Sequence, residues 1–270
     1  MDEKYTISVI MGIYNCADTL DESIESLLAQ TYDKWVLIMC DDGSKDNTYG
    51  VAKKYADKDP ERFILLKNEK NMGLNYTLNK CLAAAKTKYI ARQDGDDVSL
   101  PERFEKEIEI LENNPDIAIV STGMLYFDAN GDWGSYRPNE NPTKKSFIHG
   151  TPFCHAPCMV RREAYNAVGG YTEAERLLRN EDYHLWIKMY KNGYRGVNIP
   201  DAYYKMRDDN NAYNRRKYKY RINEAYVKFL AFKELKLPFY TIVFVVKPLI
   251  VGLLPKPIYK LLHKKKLNAK

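Results

Sequence analysis

The chain has no glycine-rich phosphate loop, no internal repeat, no low-complexity tract and no clean apolar run of membrane-spanning length. Without a GxxxxGK[ST] segment, P-loop ATPase or GTPase chemistry is disfavoured. The longest apolar stretch, Leu237 to Leu254, is interrupted by Lys247-Pro248, whereas a spanning helix needs ~20 mainly apolar residues. Cysteine is scarce. Cys16, Cys40, Cys81, Cys154 and Cys158 are odd in number and scattered, a poor disulfide framework. No signal-peptide pattern precedes the first strand-like run. These absences together lead us to expect a folded protein in a reducing, cytoplasmic setting.

Charge is present, and unevenly so. The net charge of +6 divides into 17 Lys/Arg against 4 Asp/Glu from Tyr203 onward, and 25 against 32 before it. An acidic body with a basic C-terminal quarter is expected to meet two kinds of partner.

Strand and helix signals alternate through the first half. Apolar runs at 7–14, 35–40, 62–68, 88–94 and 116–128 read as strands. Segments 18–30, 48–56, 75–86 and 101–114 carry helical spacing, the last opened by Pro101. The pattern predicts an α/β fold with a mostly parallel sheet flanked by helices. Ligands of such sheets bind at the carboxyl ends of the strands, where the acidic stretches "CDDGSKDN" and "QDGDD" fall.

Asp94, Asp96 and Asp97 crowd into four positions and repel one another unless a positive charge lies among them. A calcium loop starting at Asp94 would reach Glu105 at its twelfth position, but it would place Val98 fifth and Ser99 where glycine is required. A magnesium or manganese ion carrying a diphosphate fits better, because such ions use only one or two protein carboxylates. Cys154 and Cys158 around His155 fit no common zinc spacing and read as small buried side chains.

The ordered set "SVIMGIYN", "CDDGSKDNT", "NMGLNYTLNKCLAAAKTKYIARQDGDD" and "NEDYHLW" is similar to the family 2 glycosyltransferases with the GT-A fold, over about residues 5 to 200. "MGIYNC", "ARQDGDD" and "GTPFCH" most resemble the EpsE-type transferases of bacterial exopolysaccharide operons. The resemblance implies a nucleotide-sugar donor, most simply a UDP-sugar, and Mn2+ or Mg2+. Tyr14 and Asn15 would line the base and ribose pocket, and Asp42 rather than Asp41 would accept from the uracil ring. Asp94 would face the ribose or a water, and Asp96 would ligate the metal, with Asp97 as its substitute. Arg92 would reach the base, reach Asp94 or only balance charge. Asp182 would be the general base of an inverting transfer, with Glu181 beside it. The bland alternative is a pair of acids favoured by a helix dipole. His155 would lie near the diphosphate or metal, and Trp186 would be either core packing or a stacking surface for the acceptor. Gly12 stands where proline is common in the family. No QxxRW motif follows "EDYHLW", which favours addition of one sugar per acceptor.

The resemblance divides the chain into a transferase domain at 1–205, with a nucleotide-sugar half at 1–128 and an acceptor half at 129–205, and a basic helical extension at 206–270. The broken apolar stretch and Lys264-Lys265-Lys266 suggest an interfacial helix pair on the cytoplasmic face of an anionic membrane. The alternative is an ordinary helix packed on the body. No nucleic-acid motif accompanies the basic charge. The function expected is transfer to a saccharide acceptor, lipid-linked, in exopolysaccharide or capsule synthesis. Competing with it are a non-catalytic, membrane-recruited scaffold of the same fold and a nucleotidyltransferase, which lacks its basic phosphate loop here.

Overall fold

The computed structural model describes residues 4–208 and 218–253. Its first half follows the sequence pattern: β1 (Ile7–Ile13), α1 (Ala17–Leu28), β2 (Trp35–Asp41), α2 (Thr48–Lys58), β3 (Phe63–Lys67), α3 (Leu74–Ala84) and β4 (Tyr89–Arg92). There follow β5 (Val98–Ser99), α4 (Arg103–Asn113), β6 (Ile117–Asp128), β7 (Gly131–Tyr136), β8 (Met159–Arg161), α5 (Arg162–Val168), α6 (Glu181–Lys191), β9 (Arg195–Arg207), α7 (Tyr218–Glu234) and α8 (Val243–Gly252).

One sheet runs in the order β3-β2-β1-β4-β8-β6-β9-β5, with β7 paired to β6. The strands β1 to β4 are parallel, as expected. The rest is not. β8 is antiparallel to both β4 and β6, and β7 and β5 pair antiparallel to β6 and β9. The sheet is therefore mixed rather than mostly parallel. The strands that reverse it, β5 and β8, are two and three residues long, too short to show a hydrophobic period. The long β9 contains Pro200, which obscures its strand pattern.

Strand residues alternate between two apolar layers. Ile7, Val9, Met11 and Ile13 face one layer with α1, α2 and α4, while Ile10, Ile38, Cys40 and Ile90 face the other with α3, α5 and α6. Burial on both faces explains the near-continuous apolar runs. Val227, Ala231 and Leu235 of α7 join the α6 layer beside Leu185 and Trp186. The helix after residue 217 is thus packed into the body.

The helix α8 runs through Lys247-Pro248 instead of breaking there, at the cost of the one backbone N–H that proline lacks. Phe239, Tyr240, Val243, Ile250 and Leu253 project into solvent. Among the described residues no helix is long and apolar enough to cross a membrane. Residues 254–266, including the three consecutive lysines, lie outside the described residues.

Beneath β4 a fully buried ion pair, Arg103–Glu107, spans 3.2 Å within α4. Burial pushes the Glu107 carboxyl up to about 8 even though the Arg103 charge pulls it down. Arg103 also donates to Ser99 Oγ at 2.9 Å, Arg92 O at 2.9 Å and Gln93 Oε1 at 3.2 Å. Removing one partner of a buried pair strands the other. Arg103→Met should therefore cost about 3 to 5 kcal/mol in urea unfolding, and Arg103→Met/Glu107→Leu should recover much of that loss. A single-variant loss under about 1 kcal/mol would show that the pair does not hold this region.

Candidate active site

Three loops meet at the carboxyl ends of β1, β2 and β4. β2 ends on Asp41 and the turn after it begins with Asp42, both buried. Gly43 has φ +72°, and a Cβ there would lie 2.7 Å from the Lys70 backbone, so the turn can press against the 68–73 loop only as glycine. Asp42 fastens that contact. Its Oδ1 accepts from Asn68 Nδ2 at 2.9 Å and from Met72 N at 2.8 Å, and its Oδ2 from Gly73 N at 2.9 Å. Asp41 Oδ1 accepts from Ser44 N at 3.3 Å, while its Oδ2 is buried without a hydrogen-bond partner. Asn15, at φ 49°, closes the end of β1 onto the same turn, with Lys45 N donating to its Oδ1 at 2.8 Å. Tyr14 beside it is exposed.

The QDGDD loop is held from below. Ser23 Oγ donates to Asp94 O at 2.8 Å, Thr19 Oγ1 to Gly95 O at 3.0 Å, and Gln93 Nε2 to Asp97 O at 2.9 Å. From β9, Tyr204 OH accepts from Asp94 N at 3.2 Å, and Arg207 Nε donates to Asp96 O at 3.0 Å. The three carboxylates then diverge. Asp97 is buried and its Oδ1 accepts from Arg207 N at 2.8 Å, so it faces the fold and is not an open ligand as the sequence allowed. Burial, then Asp94 and Asp96, hold its carboxyl well above the usual range. Asp96 is solvent-exposed. Asp94 is bound by the guanidinium of Arg92 at 2.5 Å.

That guanidinium is the buried cation of the site. Burial alone would lower its pKa, but Asp94 and the surrounding hydroxyls hold it above its ordinary value, so Arg92 stays charged. Its charge reaches Asp96, His155 and Asp182 as well as Asp94. The DGDD and NED segments, almost ninety positions apart, thus share one positive centre.

Asp182 occupies the first turn of α6, after Asn180. Burial, followed by the Glu181 charge, pushes its carboxyl up to about 6, against the opposing pull of the Tyr183 N–H, Arg92 and the Thr151 hydroxyl. His155 Nε2 and Tyr171 OH share a hydrogen bond at 2.7 Å, and Tyr171 OH lies 3.3 Å from Tyr165 OH. Burial and Arg92 keep His155 neutral, well below its ordinary pKa. Trp186 has no exposed surface and packs edge-on against Phe153 at 5.5 Å. A ring with no free face cannot stack on a sugar, so of its two expected roles only core packing stands.

The carboxylates suit a hard divalent cation only modestly. Among the described residues no three His, Cys, Asp or Glu side chains converge on one point. One or two carboxylates suffice where phosphate oxygens and water complete the shell. Asp96 beside Asp94 fits that requirement: although Asp96 reaches solvent, partial desolvation by the surrounding loop and then the Asp94 charge raise its carboxyl, and a cation there would relieve both. A cavity of about 810 Å³ bordered by Lys144, Lys145 and Arg195 lies at the opposite edge of the sheet, away from this chemistry. Arg103, Tyr171, Tyr204 and Arg207 were not legible as site residues. Their only signal in sequence is the i,i+4 spacing of Arg103 and Glu107, which ordinarily marks a surface pair.

Comparison with known proteins follows the same lines. The model of Glycosyl transferase family 2 matches residues 8–169, and that of Glycosyl transferase family group 2 matches residues 89–262. The chain is 44% identical over 266 residues to EpsE of Bacillus subtilis, described as a glycosyltransferase, covering 98% of this chain and 96% of that protein. It superposes on Staphylococcus aureus TarS 1-349 in complex with UDP-GlcNAc with a TM-score of 0.64 at 18% identity, covering 94% and 82% of the two chains. The mannosyltransferase PcManGT of Pyrobaculum calidifontis, in complex with GDP-Man and Mn2+, superposes with a TM-score of 0.63 at 17% identity, covering 98% and 80%. At these identities the two structures establish likeness of fold. The family matches and the near full-length relative establish more: this chain belongs to glycosyl transferase family 2.

Proposed function

We propose that the chain is a metal-dependent, inverting glycosyltransferase of GT-A architecture, using a UDP-sugar donor. As a family 2 member it moves sugar from a nucleotide-diphosphate sugar to an acceptor, consistently with exopolysaccharide biosynthesis. The observation that carries the finer reading is the buried cation Arg92, bound to Asp94 and pulling down the carboxyls of both Asp96 and Asp182. The complexes of the related folds, with UDP-GlcNAc in one and with GDP-Man and Mn2+ in the other, support the donor and metal classes.

Tyr14 and Asn15 border the nucleoside side, where Asp42 keeps one lone-pair direction on Oδ2 beyond the three bonds that fix the 68–73 loop. Asp94, oriented by Arg92, faces the ribose. Asp96, exposed at the loop tip, would hold Mn2+ or Mg2+, which when bound neutralises the departing diphosphate. Asp182 accepts the proton of the acceptor hydroxyl as its oxygen attacks the anomeric carbon from the face opposite the diphosphate. A carboxylate raised to about 6 is a better base than an ordinary one and is still deprotonated at neutral pH. His155 and Tyr171 support the floor beneath it. No nucleophilic side chain is needed, so the anomeric configuration inverts.

In this reading residues 1–128 form the donor half and 129–205 the acceptor half, and the extension after 205 brings the enzyme to the inner face of a membrane bearing a lipid-linked acceptor. The exposed row Phe239, Tyr240, Val243, Ile250 and Leu253 supports a surface role, with the basic tail adding attraction to anionic lipid.

Asp96→Asn should abolish manganese-dependent binding of UDP, read by calorimetry, while the melting temperature stays the same or rises because repulsion is relieved. Undiminished manganese-dependent affinity would remove Asp96 from the metal site.

Asp182→Asn should stop transfer yet retain UDP binding. In the wild type, the acid limb of the transfer rate should fall with a midpoint near 6, because protonation below that pH removes the base. Glu181→Gln should move the midpoint lower, since the Glu181 charge is one of the causes that raise it. A limb that ignores both variants would place the base elsewhere.

The full chain should sediment with phosphatidylglycerol-containing vesicles and be partly released by high salt, which screens charge but not apolar contact. Phe239→Ser/Ile250→Ser/Leu253→Ser should weaken the residual, salt-resistant fraction. Equal sedimentation of this variant at high salt would show that these side chains do not meet lipid.

A further inference from the structure

We propose that the stacked rings of Tyr126 and Trp133, on the β6–β7 hairpin, form an acceptor subsite that takes the apolar C–H face of a saccharide unit beyond the one being glycosylated. The inference rests on the glycosyltransferase reading above. Of the three tryptophans, Trp35 and Trp186 have no exposed surface, whereas Trp133 is 43% exposed. Its ring lies 5.2 Å from that of Tyr126 at an interplanar angle of 20°. The stack is built into the backbone. The register between β6 and β7 shifts at Tyr126/Phe127, a bulge of the kind that re-aims a side chain. Residue 134 is glycine, where a Cβ would already touch Tyr126 Cδ2 at 3.4 Å.

The platform is continuous with the active site. Tyr126 stands opposite Met206, and Met124 opposite Tyr204, so these four side chains share one face of the sheet. They gather with Tyr136, Cys154 and Ala156 into one apolar patch. At its inner end Tyr204 accepts the N–H of Asp94, and His155 lies between Cys154 and Ala156 in the chain. At its outer end is the exposed indole, two strands across from Tyr204 and two to three residues further along the hairpin, roughly 12 to 13 Å at the usual strand spacing and rise. That span suits about two sugar rings leading away from the glycosylated hydroxyl.

Sugars present axial C–H groups that pack against the electron-rich face of an aromatic ring, while their hydroxyls stay in water. Trp133 offers such a face in polar surroundings, its hairpin neighbours being Asp132, Gly134 and Ser135. A single exposed indole on a polar hairpin, stacked on Tyr126 over a cluster that is buried or partly buried, matches a carbohydrate platform better than the broad exposed apolar patch of a protein interface. A stacking surface was one of the two roles expected of Trp186, the other being core packing. The ring that can supply it is Trp133, which carries no motif.

The test uses the full chain with cellobiose, lactose and N,N′-diacetylchitobiose, titrated separately by tryptophan fluorescence and calorimetry. Because the other two indoles are buried, a saturable spectral change in the wild type reports Trp133. Trp133→Ala should weaken binding of the responding disaccharide by about tenfold. Trp133→Tyr should restore most of the affinity, and UDP affinity should be unchanged in both. No spectral or calorimetric response of the wild type to any of the three sugars overturns the proposal, as does full affinity in Trp133→Ala. A parallel loss of UDP affinity in Trp133→Ala would make Trp133 a structural residue and overturn it too. If the wild type failed to bind UDP, the functional reading would fail instead, and the two failures remain separable.

Discussion

A buried guanidinium among carboxylates is the constraint around which this molecule is arranged. Arg92 is almost wholly removed from water, and its one strong partner is Asp94. Desolvating a cation is costly, and that cost is offset here chiefly by the Asp94 carboxylate. The same charge acts on Asp96 of the loop after β4 and on Asp182 at the start of α6. Drawing both to one cation creates a place where repelling acids can coexist before any ligand arrives.

Holding the acids there takes a second layer. Arg103, itself buried and paired with Glu107, donates to the Arg92 carbonyl and to Ser99 and Gln93, and Gln93 in turn binds the Asp97 carbonyl. The mixed sheet is part of the same construction. β9 enters beside β6 and delivers Tyr204 and Arg207 to the loop, where they fix Asp94, Asp96 and Asp97 through backbone groups. A purely parallel sheet ending at β4 would leave that loop unsupported on one side. Preorganisation of this kind is what an active site needs if charge is to be stabilised without rearrangement.

The C-terminal quarter divides between two roles that its composition blurred. α7 is amphipathic in function despite its basic charge, because Val227, Ala231 and Leu235 complete the core next to α6. α8 packs on it and turns apolar side chains outward. The exposed apolar side chains of α8 are therefore joined through α7 to α6, the helix whose first turn carries Asp182.

The sequence alone determined the alternating elements through β4, the sheet edge where the acids collect, and the family. Hydrophobic period, turn glycines and loop motifs are local, and local rules decide them. It could not determine the orientation of each side chain within those motifs. Asp97 turns inward because Arg207 N, 110 positions away, waits for it, and Asp96 is left outside. Trp186 is buried because Phe153 and the α7 layer close over it, whereas Trp133 is exposed because a bulge on an outer hairpin aims it there. The very short β5 and β8, which make the sheet mixed, have no period of their own and exist only by pairing. Long-range partners decided these features, since burial and hydrogen bonding belong to the folded neighbourhood and not to any stretch of chain.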